Sequence, residues 1–241
     1  MTLMQKIVAP AFSNDDRDDQ LNVNFGVAVV METEKLPWQS SPVEGVMRKR
    51  LELVGRSQPR LTTLVKFDPG SSFNRHGHDG GEEFLVLEGV FSDASGDYPA
   101  GYYLRNPPGT EHAPFTREGC VILVKLRQFQ AGDEHQLAVN TTDIWARWRA
   151  TTDPGVTQLP LHEYAAERVR LLKFNPQCWL TAICYDQGVE IFIWEGALSI
   201  DEVDYPQGSW LRFPPGCKVR ITAPTGAKIY MKEPVSGVLP G

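Results

Sequence analysis

A shift of 107 positions lays this sequence over itself, and that self-similarity restricts the fold more than any other feature. Residues 64–126 face 171–233 without a gap, and 22 of the 63 pairs are identical. Leu64-Val-Lys-Phe-Asp-Pro69 faces Leu171-Leu-Lys-Phe-Asn-Pro176, and Asp97-Tyr98-Pro99 faces Asp204-Tyr205-Pro206. The block Gly101, Leu104-Arg105, Pro107-Pro108-Gly109 faces Gly208, Leu211-Arg212, Pro214-Pro215-Gly216. The same shift pairs Trp38 with Trp145, which starts the unit near residue 25. A chain built this way is two copies of one structural unit, each with its own core. The 241 residues then divide into an acidic N-terminal tail (1–24), a first unit (25–130), a linker (131–138) where apolar periodicity lapses, and a second unit (139–241).

Each unit reads as β structure. Apolar runs are short, as at 84–87 and 121–124, and turn formers are frequent, with 21 Gly and 18 Pro. Strands are expected at 62–67, 83–87, 101–106 and 121–126, separated by Asp68-Pro69-Gly70, Asp79-Gly80-Gly81, Ser95-Gly96 and Pro107-Pro108-Gly109. Short strands at this spacing build a sandwich or a barrel. The stretch 163–170 fits a helical turn or an edge strand. With 41% hydrophobic and 22% charged residues, the chain can bury an ordinary core.

No apolar run approaches the ~18–20 residues of a membrane-spanning helix, so no membrane is expected as a partner. The first 19 residues lack the basic flank and apolar run of a secretion signal, and a cytoplasmic protein is expected. A net charge of −6 without a Lys/Arg stripe argues against nucleic acid. The four cysteines, Cys120, Cys178, Cys184 and Cys217, contain no CxxC pair and are expected as small buried hydrophobes.

The first unit carries a constellation that the second lacks. In a strand, His76 and His78 point to one face, about 7 Å apart along the chain. The Asp79-Gly80-Gly81 turn returns Glu82 toward that face, and the Pro107-Pro108-Gly109 turn presents His112 from a different strand. Imidazole and carboxylate together suit Zn, Fe(II), Mn, Ni or Cu(II). The spacing Gly70-x5-His76-x-His78-x3-Glu82-x6-Gly89 resembles the first motif of the cupins at every position. Gly101-x5-Pro107-x-Gly109-x2-His112 resembles the second motif, except that Thr116 stands where that motif ends in Asn. This departure, the short stretch 90–100, the phrase from His78 to Gly89 and the turn at 106–109 are similar to the ChrR-like branch, named for the sensing domain of a bacterial anti-sigma factor.

The resemblance implies an all-β fold of two tandem cupin domains (double-stranded β-helix, or jelly-roll, barrels), close over 25–130 and weaker over 139–233. It also implies one divalent metal per chain, Zn or Fe(II) with Mn or Ni as further choices, on His76, His78, Glu82 and His112.

Comparing the two copies separates folding from chemistry. His76, His78, Glu82 and His112 face Ile183, Tyr185, Val189 and Val219, so all four ligands are lost together and the second unit should bind no metal. Glu83/Glu190, Lys66/Lys173, Lys125/Lys232 and Arg105/Arg212 are kept in both copies. That assigns Glu82, not Glu83, to the ion and leaves the shared charges as surface or inter-strand pairs. Phe84, Val86, Phe73 and Tyr103 are candidates for the pocket wall, with packing in the barrel core as the alternative. Glu111 is expected in solvent, and His135 and His162 as solvated loop residues.

A site of three His and one Glu keeps one or two positions for water, a small molecule or dioxygen. Two functions follow. The ChrR likeness implies a regulatory or sensing module that reports an oxidant or small ligand to a protein partner. It would lack the sigma-binding helical domain, since residues 1–24 contain neither Cys nor His. The alternative is a non-haem Fe(II) dioxygenase of a small diketone or hydroxyketone. The likeness puts the regulatory reading first. No nucleophile arrangement supports covalent catalysis, and no Gly-rich motif cradles a phosphate. Cupins commonly pair through their sheets, so a homodimer, or an internal pair in its place, is expected by analogy of fold.

Overall fold

The computed structural model describes residues 20–143 and 147–233. The tail up to residue 19, Trp145 and residues 234–241 lie outside the described residues. Apart from a single 3-10 turn at Thr33–Lys35, every regular element among the described residues is a strand. None of them is a helix long and apolar enough to cross a membrane.

Two large antiparallel sheets carry the fold. In the first the order is Leu137–Asn140, Tyr102–Asn106, Glu82–Asp93, Cys120–Leu126, Arg60–Phe67, Val46–Val54 and Gln39–Ser40. In the second it is Val29–Glu32, Ser209–Phe213, Val189–Ile200, Ala227–Glu233, Glu167–Phe174, Val156–Tyr164 and Arg149–Ala150. One strand in each is exchanged. Val29–Glu32 precedes the first unit's sheet in sequence yet pairs with Ser209–Phe213 in the second. Leu137–Asn140 reciprocates beside Tyr102–Asn106 in the first. Sequence units and sheets therefore do not coincide, and the stretch 131–138 is part of the first sheet's edge as well as a connection.

The ordered chain also begins before residue 25. Leu21 bridges Leu53 with backbone hydrogen bonds of 2.9 and 3.0 Å, and Arg212 Nη2 donates to the carbonyls of Asn22 and Asn24. The stretch 163–170 is neither a helical turn nor an edge strand. It is the hairpin between Val156–Tyr164 and Glu167–Phe174, turned by Ala165 at φ +50°.

Side-chain alternation gives each sheet two buried faces. Phe84, Val86, Phe67, Ile122 and Val124 turn inward and form the core of the first barrel. Val189, Ile191, Ile193, Leu172, Phe174 and Phe213 do the same in the second. The opposite faces pack against each other. Leu64, Leu85, Tyr103 and Leu123 meet Leu171, Phe192, Trp210 and Tyr230 in one cluster, and these are the same four repeat positions from each copy. Full burial of such side chains contributes about 1.5–3 kcal/mol each.

Three of the charge pairs kept in both copies, Glu83/Glu190, Arg105/Arg212 and Lys125/Lys232, lie between the sheets, not at the surface. Glu83 accepts from Arg105 at 2.5 Å, Lys232 at 2.5 Å, Tyr103 at 2.8 Å and Tyr230 at 3.1 Å. Its counterpart Glu190 accepts from Lys125 at 2.5 Å and Trp210 Nε1 at 2.8 Å. Arg105 also reaches Glu167 at 2.9 Å and Asp133 at 2.6 Å, while Arg212 and Arg60 hold Glu52. Phe129 covers the Arg105 guanidinium and Phe25 covers that of Arg212, at 4.0 and 4.2 Å from the ring centres.

Five acids (Glu52, Glu83, Asp133, Glu167, Glu190) thus balance five bases (Arg60, Arg105, Lys125, Arg212, Lys232), all buried. Burial alone would raise the Glu83 carboxyl, but Lys232 and Arg105 hold it well below the carboxylate range. Lys66 and Lys173, also a shared pair, stay outside this network, half-buried and exposed respectively.

Further expectations are corrected by the same network. His162 is buried, with Nε2 2.7 Å from Asp133 Oδ2, and the exposed His135 places Nδ1 2.9 Å from Asp133 Oδ1. Of the cysteines, Cys120 is buried, Cys178 and Cys217 are half-buried, and Cys184 is exposed because it alternates outward from the buried Tyr185. Replacing Glu83 by Ala leaves Arg105 and Lys232 buried beside a missing counter-charge. Urea unfolding should show a loss of about 3–5 kcal/mol. Lys173→Ala, also a shared position but exposed, should stay within about 0.5 kcal/mol.

Candidate metal centre

Two short strands, His76–Gly77 and Glu111–His112, pair so that His76 lies directly opposite His112. The chain then turns at Gly81, whose φ is +78° and where an added Cβ would stand 2.3 Å from the Phe129 ring. Only glycine admits that turn, which delivers Glu82 to the inward face of strand Glu82–Asp93. His76, His78 and His112 each offer a ring nitrogen, and these atoms lie within 4.8 Å of one another. His78 Nε2 is 3.2 Å from His112 Nε2. Glu82 Oε2 is 3.3 Å from the first and 3.5 Å from the second.

The far side of each ring fixes what the near side offers. His76 Nδ1 is 2.9 Å from the Asn74 carbonyl, which can only accept, so the proton sits on Nδ1. The Thr110 hydroxyl donates to the Pro107 carbonyl at 2.7 Å and therefore accepts from His78 Nδ1 at 3.0 Å. His112 Nδ1 faces the Asp93 carboxylate at 3.4 Å. The Nε2 atoms of His78 and His112 thus face each other and a carboxylate oxygen, and His76 turns Nδ1 away to the Asn74 carbonyl. Neutral imidazoles in this arrangement repel unless a cation stands between them. Donors ~2.1 Å from one ion sit ~3.0–3.4 Å apart at octahedral to tetrahedral angles, close to the spacings found here. The donor set fits a divalent metal.

A second cluster, Asp133, His135 and His162, is as compact but chemically opposite. There Arg105 and His162 both lie within hydrogen-bond distance of Asp133 Oδ2, with His135 Nδ1 and the His135 backbone N–H on Oδ1. Donors surround an acid, and a guanidinium already supplies the positive charge. That cluster is an internal ion pair.

In the second barrel the equivalents of His76 and His112 keep the pairing without the chemistry: Ile183 faces Val219. Tyr185, Val189 and Val219 are buried in an apolar core.

Beside the histidines, the first barrel keeps a cavity of about 190 Å³, reached by His76, His112 and Glu82 and walled by Phe73, Phe91, Pro114, Ile122, Val124 and Leu126 among others. Of the four wall candidates, Phe73 lines it, and Phe84 and Val86 pack into the barrel core. Tyr103 does not belong there. It shares the outward face with Glu83 and packs between the sheets. Glu111 is exposed and pairs with Arg75 at 2.7 Å.

Asn106, which donates to Glu82 Oε2 at 3.2 Å, and Asp93 and Thr110 behind the histidines were not singled out by spacing. The repeat held their signal, since they face Phe213, Ile200 and Cys217 in the copy that lost the ligands.

The ChrR Cupin-like domain family matches residues 27–130 and again 134–233. None of the curated proteins matches the sequence significantly. Solved structures match across most of the chain. A Nostoc punctiforme protein described as a candidate dioxygenase is 14% identical, covers 88% of this chain and 85% of its own, and superposes with a TM-score of 0.72. An Escherichia coli pirin in complex with nickel(II) is 13% identical over 86% of this chain and 98% of its own, with a TM-score of 0.63. The Lactobacillus farciminis oxalate decarboxylase, in a formate complex, is 10% identical over 86% and 87%, with a TM-score of 0.60. At these identities the likeness shows the fold.

Burial pushes the Glu82 carboxyl up to about 7, with the Asn106 hydrogen bond opposing and Asp93 adding to the rise. Burial and the neighbouring His112 and His76 bring His78 down to about 4, and burial with His76 also lowers His112. A cation entering this cluster at pH 6 must displace the Glu82 proton, whereas at pH 8 that proton is already gone. Metal affinity should therefore rise about tenfold per pH unit up to about pH 7 and level off above it. Calorimetric titration in two buffers of different ionisation heat should report close to one proton released at pH 6 and a small fraction at pH 8. Equal release at both would contradict this assignment.

Proposed function

Because the chain belongs to the ChrR cupin-like family, with two copies of the domain, we propose that its first barrel holds one divalent metal ion on His76, His78, His112 and Glu82 and uses it to bind and transform a small oxygen-bearing molecule. The cavity carries this reading. A purely structural ion needs no space beside it, yet here an apolar chamber opens directly onto the ligand set. When bound, Fe(II) would polarise a ketone oxygen and activate dioxygen, the chemistry by which a small diketone or hydroxyketone is cleaved. Cleaving one C–C bond of such a ketone takes up one dioxygen and leaves both oxygen atoms in the two fragments, so no external reductant is needed.

The chain's own groups prepare this chemistry. The Asn74 carbonyl and Thr110 fix the tautomers of His76 and His78, Asp93 faces His112 Nδ1 at 3.4 Å, Asn106 orients the Glu82 carboxylate, and Phe73, Phe91 and Pro114 make part of the chamber wall apolar. The neighbours in fold, one a candidate dioxygenase and one an oxalate decarboxylase, support metal chemistry on small oxygenated molecules in general terms.

A second reading, a sensing module in which the same ion reports a ligand to a protein partner, uses the same cavity and is favoured by the family's name. Protein purified without oxygen should contain one metal per chain. His76→Ala should lower it to near zero and weaken the first barrel, while Tyr185→Ala leaves it unchanged. The iron-loaded protein should consume dioxygen in step with loss of a small diketone or hydroxyketone. Tightly held zinc with no oxygen uptake across a ketone panel would reject the enzymatic reading in favour of the sensing one.

A further inference from the structure

The wall of the first barrel's cavity contains a cationic side chain as well as apolar ones. Arg48 lines it from strand Val46–Val54, on the same inward face as Val46. Cross-strand register fixes its level. Arg48 stands opposite Val65, which stands opposite Ile122, whereas Glu82 stands opposite Leu126, itself opposite Leu61. Leu61 and Val65 are four residues apart on one strand, ~13 Å by strand rise. The backbone of Arg48 is thus well removed from that of Glu82 along the barrel, and its long side chain lines the chamber. The space thus combines lone-pair donors suited to a cation, a guanidinium and apolar walls.

The second barrel supplies an independent observation. By sheet register the partner of Arg48 in the repeat is Gln158, since Val46 and Val156 face Phe67 and Phe174, and Arg48 and Gln158 face Val65 and Leu172. The arginine is therefore present where the metal pattern survives and replaced where it is lost, like the ligands themselves. The interior of the second barrel is spanned by an ion pair of its own. Arg170 reaches Glu233 at 2.6 Å and Gln158 at 3.4 Å. At the positions of Arg170 and Glu233 the first barrel carries Thr63 and Leu126, both of which line its cavity. Two uncharged side chains thus line the chamber where the second barrel carries an ion pair.

Building on the metal-centre reading, we infer that the cavity takes a small oxo or hydroxy acid: a molecule whose carbonyl or hydroxyl oxygens meet the ion, whose short apolar body fills the barrel, and whose carboxylate is received by Arg48. A guanidinium has five N–H donors in a planar fork that matches a carboxylate, so it can serve a ligand beside its protein contacts. A cavity of about 190 Å³ confines the ligand to a small molecule.

Calorimetry on the metal-loaded full chain tests this with three probes: 2,4-pentanedione, 4,6-dioxoheptanoate, and the methyl ester of the latter as a neutral control. The acid should bind about tenfold or more tightly than its ester, the usual scale of a charge-assisted bidentate contact. Arg48→Met should abolish that preference while leaving metal content and ester affinity unchanged. Arg48→Gln, the residue of the other barrel, is a second variant should methionine disturb folding. Equal affinity of acid and ester, or a preference that survives both substitutions, overturns the role of Arg48 and leaves the metal centre standing. Failure of all three probes to bind the loaded protein overturns the small-molecule role proposed for the metal centre and this inference with it.

Discussion

One strand, Glu82–Asp93, holds chemistry and assembly apart by the alternation of its side chains. Glu82 turns inward to the histidines and Glu83 turns outward to the other sheet, one residue and one face apart. Slipping this strand by a single position would place Glu83 among lone pairs and Glu82 among lysine and arginine, inverting both sites. Its register is held from both sides, by Cys120–Leu126 and by Tyr102–Asn106. The same neighbours carry Arg105 and Lys125 to the interface and Asn106 to Glu82.

The interface so built is a duplication folded onto itself. Glu83 of the first copy takes Lys232 of the second, and Glu190 of the second takes Lys125 of the first. Exchanged strands at residues 29–32 and 137–140 complete the symmetry. Ten balanced buried charges are expensive to desolvate and tolerate the loss of any single member poorly. This network shares no residue with the metal ligands, so the second barrel stays well packed although Ile, Tyr and Val stand where the first has His and Glu. Inside it Arg170 pairs with Glu233, where the first barrel keeps its cavity.

Much of this was legible in the sequence because the repeat acts as an internal control. The convergence of His76, His78 and His112 followed from spacing and turns, and the contrast with Ile183, Tyr185 and Val219 marked those positions as special. The face of Tyr103 was harder to read. With both sides of the sheet buried, the strand reads as a nearly unbroken apolar run, and alternation leaves no polar rhythm to count from. The exchange of strands was also hidden, since the local pattern of Val29–Glu32 says that it is a strand but not which sheet it joins. His162 and the shared charges looked like surface because isolated charged groups normally are. Only the tertiary pairing brings their counter-charges within 3 Å. Asn106, Asp93 and Thr110 were within reach, had the comparison between copies been extended beyond residues that bind metals.

Anomalous diffraction from crystals of the metal-loaded protein, recorded at the absorption edge of the ion, tests the central claim most directly. The account requires one peak per chain, ~2.0–2.2 Å from the Nε2 atoms of His76, His78 and His112 and from a Glu82 oxygen. A peak at Asp133, His135 and His162, a second ion inside the other barrel, or no ordered ion at the histidines would contradict it.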